Sequence, residues 1–172
     1  MVNILLEGYD IAAPWLRAGL RRYLRPGHTV AVVALSFRDN RVHGPEDWAA
    51  LYSAERGMYY GGITGGFEAY GISRANISFI DYFADTPATA ARKIERADIV
   101  YFLGGLPDRM LARIRDMELY DVLARHDGIA IGYSAGAVIQ LREYYLAPDD
   151  DYAEFSYYEG LPYLSDFYLQ VH

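Results

Sequence analysis

The chain contains no cysteine among its 172 residues. That absence removes disulfides, thiolate zinc sites and every mechanism built on a cysteine nucleophile. No stretch approaches the roughly 18 consecutive apolar residues of a membrane-spanning helix. The opening segment, MVNILLEGYD, lacks a basic flank and meets Glu7 too early for a signal peptide, so a cytoplasmic protein is the expectation. Positive charge is in short supply, with 16 Lys and Arg against 23 Asp and Glu, a net charge of −7. Such a surface repels phosphate backbones, so neither nucleic acid nor a membrane is an expected partner. Histidines and acids show no metal-ligand spacing and no cofactor fingerprint is present, so neither metal nor cofactor is expected.

An apolar fraction of 52% with 23% charged residues belongs to a soluble globular protein. The length suits one domain, residues 1–172, able to bury a core. Tyrosine is abundant, at 17 residues, which suits packing at edges or a homodimer interface. Apolar runs of strand length recur at 2–8, 28–35, 75–83, 97–105 and 128–134. Several are apolar at consecutive positions, as in parallel strands covered on both faces.

Helical patterns lie between these runs. The segment APWLRAGLRRYL places Trp15, Leu16, Leu20 and Leu24 on one face, with Pro14 in the first turn. DTPATAARKIERA opens with a cap-like Asp85-Thr86 and Pro87. LPDRMLARIRDMELYDVLARHDG holds one or two helices and ends at Gly128. The alternation predicts an α/β fold with a mainly parallel sheet. Residues 45–72 read as a helix followed by a Gly-rich surface loop, which matches no phosphate-binding pattern.

Gly132-Tyr133-Ser134-Ala135-Gly136 fits G-x-S-x-G, the nucleophile elbow. GIAIGY before it is a strand candidate, and AGAVIQLREYY can start a helix directly after the serine. A sharp turn of this kind strains the serine backbone, and Gly132, Ala135 and Gly136 leave room for it. The turn would expose the Ser134 hydroxyl at the carboxyl edge of the sheet, where α/β ligands bind. It would also aim the Ala135 N–H at a developing oxyanion. The plainer alternative is a tight turn with Ser134 as a helix cap. Gly104-Gly105 in YFLGGLPDRM ends another strand, where glycines let backbone amides approach a substrate, although a simple strand-to-helix turn needs them equally.

YFLGGLPDRM, GIAIGYSAGA and the terminal FYLQVH together resemble the peptidase E and cyanophycinase family of serine peptidases. The resemblance covers nearly the whole chain. It implies a three-layer, flavodoxin-like α/β sandwich of the class I glutamine-amidotransferase-like kind. It implies that Ser134 attacks a peptide carbonyl, with Ala135 and Gly104 or Gly105 forming the oxyanion hole. The amidotransferases place cysteine at the elbow, so glutamine amide hydrolysis by that route is excluded here.

A serine hydroxyl needs a base. His28 and His43 read as surface residues, and His126 precedes the nucleophile strand at its far end from the serine. His172 follows a GL segment and an apolar, strand-like DFYLQVH. The resemblance makes it the base. The resemblance also puts the orienting acid some fifteen residues beyond the serine, at Asp149 or Asp150, with Asp151 adjacent. Longer relatives continue past the base with another helix and one or two strands, so the chain is expected to be a short or truncated form.

The implied activity is that of a serine hydrolase on a small peptide, a dipeptidase favouring an N-terminal aspartate or an enzyme acting on a cyanophycin-type β-aspartyl substrate. Acidic specificity needs a cation, for which Arg109 and Arg142 are the candidates. A non-catalytic member of the same fold, binding a small molecule or a protein, is the alternative. A flavin or nucleotide binder is disfavoured because no phosphate-cradling loop follows the first strand.

Overall fold

The computed structural model describes residues 1–170 of the chain. Five strands, β1 (Val2–Leu6), β2 (Val30–Val33), β3 (Ile77–Ile80), β4 (Ile99–Phe102) and β5 (Ile129–Tyr133), form one sheet in the order β1-β5-β4-β2-β3. Every pairing in it is parallel, with Phe102 level with both Val33 and Gly132, and Leu6 level with Tyr133. All five sequence runs therefore become strands, and β2 and β4 are buried at every residue.

Side chains alternate across the sheet. Val30, Val32, Ile99, Tyr101 and Ile131 face one core, shared with α1 (Pro14–Leu20), α2 (Pro45–Tyr52) and α3 (Tyr60–Glu68). Val33, Val100, Phe102 and Ala130 face the other, shared with α4 (Pro87–Glu95), α5 (Pro107–Asp116), α6 (Tyr120–Ala124) and α7 (Ala135–Val138). The result is a three-layer, flavodoxin-like α/β sandwich. The chain then forms an antiparallel hairpin of β6 (Glu143–Leu146) and β7 (Ser156–Glu159). No helix among the described residues is long and apolar enough to cross a membrane.

Several local readings need correction. The Gly-rich stretch after α2 is helix α3, not a loop: Phe67 is buried on its inner face, and Gly66 lies so close to Ile11 that a β carbon would come within 2.9 Å of it. Tertiary contact overrides the low helix propensity of glycine there. In α1, Leu20 packs inward but Trp15 is 81% exposed. The segment after Ser134 stays helical only through Val138, because residues 141–142 and 160–164 come together and draw the chain into extended form: Arg142 N–H donates to the Leu164 carbonyl at 2.7 Å and Gly160 N–H to the Arg142 carbonyl at 3.0 Å. Residues 166–170 of DFYLQVH form no strand. His28 is half-buried rather than a surface residue.

Candidate active site

Ser134 leaves the carboxyl end of β5 with φ of 50° and ψ of −120°, a positive-φ backbone conformation that costs a non-glycine residue about 1–3 kcal/mol. Its surroundings enforce that conformation. Ser134 N–H donates to the Leu6 carbonyl at 3.1 Å, and its own carbonyl accepts from Ala137 and Val138 N–H at 2.8 and 3.2 Å. Both flanking glycines are steric necessities. A β carbon on Gly132 would sit 1.8 Å from the Gly136 carbonyl oxygen, and one on Gly136 would sit 2.1 Å from that of Phe102. The turn is thus packed directly on β4, leaving Ser134 half-buried and facing a cleft.

That cleft has a volume of about 710 Å³ and brings together Ser134, Gly105, Asp149, Asp150, Asp151 and Gln170. Gly105 comes from the end of β4, and the aspartates come from the tip of the β6–β7 hairpin. Gly105 has φ of +140°, and a β carbon there would lie 2.3 Å from the Ser36 carbonyl oxygen. Gly105 is therefore required by a close approach of two backbones.

Ser36, a buried residue just beyond β2, holds this loop from both sides. Its hydroxyl donates to the Gly104 carbonyl at 2.6 Å, and its carbonyl accepts from Leu106 N–H at 2.8 Å. In a planar trans peptide the N–H points opposite to the carbonyl. Fixing the Gly104 carbonyl on Ser36 therefore turns the Gly105 N–H away from Ser36. No backbone carbonyl among the described residues accepts the Gly105 or Ala135 N–H. Gly104 is placed differently: it lies under the ring of Tyr133, where a β carbon would come 2.5 Å from Cε2.

The three aspartates are engaged unequally. Asp149 Oδ1 accepts from the N–H groups of Asp151 and Tyr152, at 2.7 and 2.9 Å, closing its own turn. Asp151 forms a two-pronged ion pair with Arg38, whose hydrogen bonds hold the carboxyl below the usual carboxylate range. Asp150 makes no side-chain hydrogen bond among the described residues. A further tie comes from the Tyr152 hydroxyl, which donates to Asp108 at 2.6 Å.

None of the three described histidines lines the cleft. His126 and His28 precede β5 and β2, at the opposite edge of the sheet, and burial of His126 pushes its pKa down. His43 is exposed, with its N–H bonded to Asp47. His172 lies outside the described residues; Gln170, two residues before it, lines the cleft.

Neither Arg109 nor Arg142 reaches the cleft. Arg109 pairs with Asp39 at 3.4 Å, and Arg142 is exposed beside β6. The cation at the site is Arg38. The loop that carries it is anchored by Arg113 of α5, a buried guanidinium donating to the Leu35 and Phe37 carbonyls at 2.6 and 2.9 Å, 3.6 Å from the centre of the Phe37 ring. Ser36, Arg38 and Arg113 have no local sequence signature. Only the position of Ser36 and Arg38 just past a strand end marked them.

An α/β sandwich with a strained serine between its fifth strand and a short helix is the scaffold of a nucleophile-elbow protein. A family model described as Peptidase family S51 matches residues 50–172, and the chain belongs to that family. The peptidase E resemblance read from its motifs is borne out. Among solved structures, the chain is similar to a protein provisionally named peptidase E from Listeria monocytogenes EGD-e, with 18% identity and a TM-score of 0.58 over 82% of this chain. It is also similar to a peptidase from an acI-B1 Actinobacterium, with 19% identity and a TM-score of 0.52 over 83% of this chain. These likenesses bear on the fold. The chain spans 62% and 58% of the length of those two proteins. A comparison with curated proteins finds no match.

Proposed function

We propose that the chain is a serine peptidase acting on small peptides of dipeptide size through an acyl-enzyme. The observation that carries this reading is the backbone of Ser134, a non-glycine residue held at φ of 50° by two sterically obligatory glycines at the mouth of a cleft. Strain of this kind persists only where the surrounding structure over-determines it, and it concentrates at reactive groups. The cleft volume of about 710 Å³ falls within the range of small-ligand sites, about 300–1,000 Å³.

In this reading the Ser134 hydroxyl attacks the carbonyl carbon of the substrate. His172 takes the proton and then delivers it to the leaving amine. The Gly105 and Ala135 N–H groups, both without backbone partners among the described residues, receive the developing oxyanion. Asp150 orients the imidazole, since Asp149 is occupied by its own turn and Asp151 by Arg38. Water then repeats the sequence on the acyl-enzyme and frees the acid. Support for His172 comes from family membership and from Gln170, which already lines the cleft.

The test is labelling by a small alkyl fluorophosphonate, read by intact mass and peptide mapping, alongside hydrolysis of a dipeptide panel. One adduct, located on Ser134 and lost in Ser134→Ala together with all hydrolysis above background, is the expected result. Hydrolysis that survives Ser134→Ala would overturn the reading. A chain that is neither labelled nor active would favour a non-catalytic, ligand-binding member of the family.

A further inference from the structure

Across the glycine pair from the nucleophile cleft lies a second pocket, of about 620 Å³. Its base is made of strand ends, including Leu103, Gly104 and Tyr133, and its walls come from α2, the α2–α3 connection and α3, including Tyr52, Tyr59 and Ile63. Gly105 and Arg38 line both spaces. The two spaces therefore share a wall. A group bonded to Ser134, with its oxygen toward the Gly105 N–H, has this pocket immediately beside it.

Three polar side chains of the pocket are already engaged. Arg38 is paired with Asp151, Asp47 accepts the His43 N–H at 2.8 Å, and the Ser36 hydroxyl is bonded to Gly104. Arg41, at the rim, is the one guanidinium of the pocket with no side-chain partner among the described residues. The rest of the lining is aromatic and aliphatic, and the hydroxyls of Tyr9, Tyr52 and Tyr59 make no hydrogen bond among the described residues. Three of its members are left uncovered: Tyr9 is 73%, Met58 is 72% and Tyr59 is 49% exposed. Apolar surface held open to water beside a reactive group is surface that a ligand covers.

We infer that this pocket receives a bulky apolar side chain, aromatic by preference, on the residue whose carbonyl Ser134 attacks. The inference rests on the hydrolase reading and supplies its substrate class. It runs against the aspartate preference that the sequence resemblance implies, because an acidic side chain placed here would be desolvated against aromatic rings with Arg41 as its sole counter-charge.

The experiment measures binding of N-acetyl-phenylalaninamide and of N-acetyl-aspartic acid α-amide, its β-carboxylate free, to the full chain carrying Ser134→Ala, by NMR titration. The phenylalanine ligand is expected to bind about tenfold more tightly or better. Adding Gly62→Trp should abolish that binding. Gly62 lines the pocket and a β carbon there meets nothing within 4 Å, so the indole fills the space without displacing backbone. Met58→Glu, at an exposed position where folding is not at stake, should weaken the same ligand severalfold. Equal affinities, a preference for the aspartate ligand, or phenylalanine binding indifferent to both variants would overturn the proposal. Fluorophosphonate labelling of the unmodified chain separates the two readings. A labelled Ser134 with no aromatic preference sinks the pocket assignment alone, whereas aromatic binding without labelling sinks the nucleophile.

Discussion

Ser134 and Asp150 face the same cleft, yet the two walls they stand on are built by different means. The serine wall is backbone against backbone: Gly132 on Gly136, Gly136 on Phe102, Gly105 on Ser36, each at a separation that no β carbon tolerates. The aspartate wall is the tip of a two-stranded hairpin, held by the Arg38–Asp151 pair, the Tyr152–Asp108 hydrogen bond and a turn closed by Asp149. The Arg38–Asp151 pair is partly open to solvent, and an exposed ion pair contributes only about 0–1 kcal/mol. Ser134 is thereby set by excluded volume, which neither salt nor pH weakens. The aspartates are set by contacts that both can loosen.

The contrast is testable on each wall. The largest effect is expected from Gly136→Ala, whose methyl group would overlap the Phe102 carbonyl. It should destabilise the chain by about 3 kcal/mol or more, read by urea denaturation. A loss below about 1 kcal/mol would mean that the serine wall yields, and the contrast would be gone. Ser36→Ala should leave the fold in place and release the Gly104–Gly105 peptide. A fall in kcat of roughly tenfold to a hundredfold, with KM little changed, is the signature of a misplaced oxyanion donor; a change confined to KM would contradict this role.

Arg38→Gln should act on the other wall alone. Activity should drop a fewfold and stability by less than about 1 kcal/mol. High salt should reproduce part of the effect in the parent chain and none in the variant. The sign with pH follows from Asp151. Its carboxyl is held below its ordinary value, so the pairing stabilises the folded chain fully above about pH 4 and is lost as pH falls through the lowered value. Acid titration of the variant should lack that component. The smallest effect is a gain. Gly65→Ala adds a β carbon that meets nothing within 4 Å in mid-α3, and should raise stability by about 0.5–1 kcal/mol in the same urea assay.

The same contrast explains what could be read in advance. Parallel strands covered on both faces must be apolar at consecutive positions, so all five were visible as runs. The elbow was visible because its geometry demands glycines at fixed spacing around Ser134. Residues placed by tertiary contact were not visible. Ser36 reaches Gly104 from the end of a different strand, and Arg38 meets Asp151 across a long stretch of chain. No spacing rule encodes such meetings. Helix α3 was mistaken for a loop because its glycines suit turns by propensity, whereas the packing of Gly66 on Ile11 decides the outcome. The aspartate run marked a loop that lines the cleft but not the separate contacts of its members, which depend on partners supplied by Arg38 and by the loop backbone.

The strand order carries one more consequence. β5 is inserted between β1 and β4, and within this sheet β1 has no other neighbour. The earliest strand of the chain therefore waits, without a ladder of its own, until residues 129–133 arrive to join it. The bond from Ser134 to Leu6 that helps cock the serine cannot form before then. Closing so long a loop comes late in folding, after more local contacts have formed. The strained turn at Ser134 is accordingly a product of completed assembly, absent from a partly folded chain.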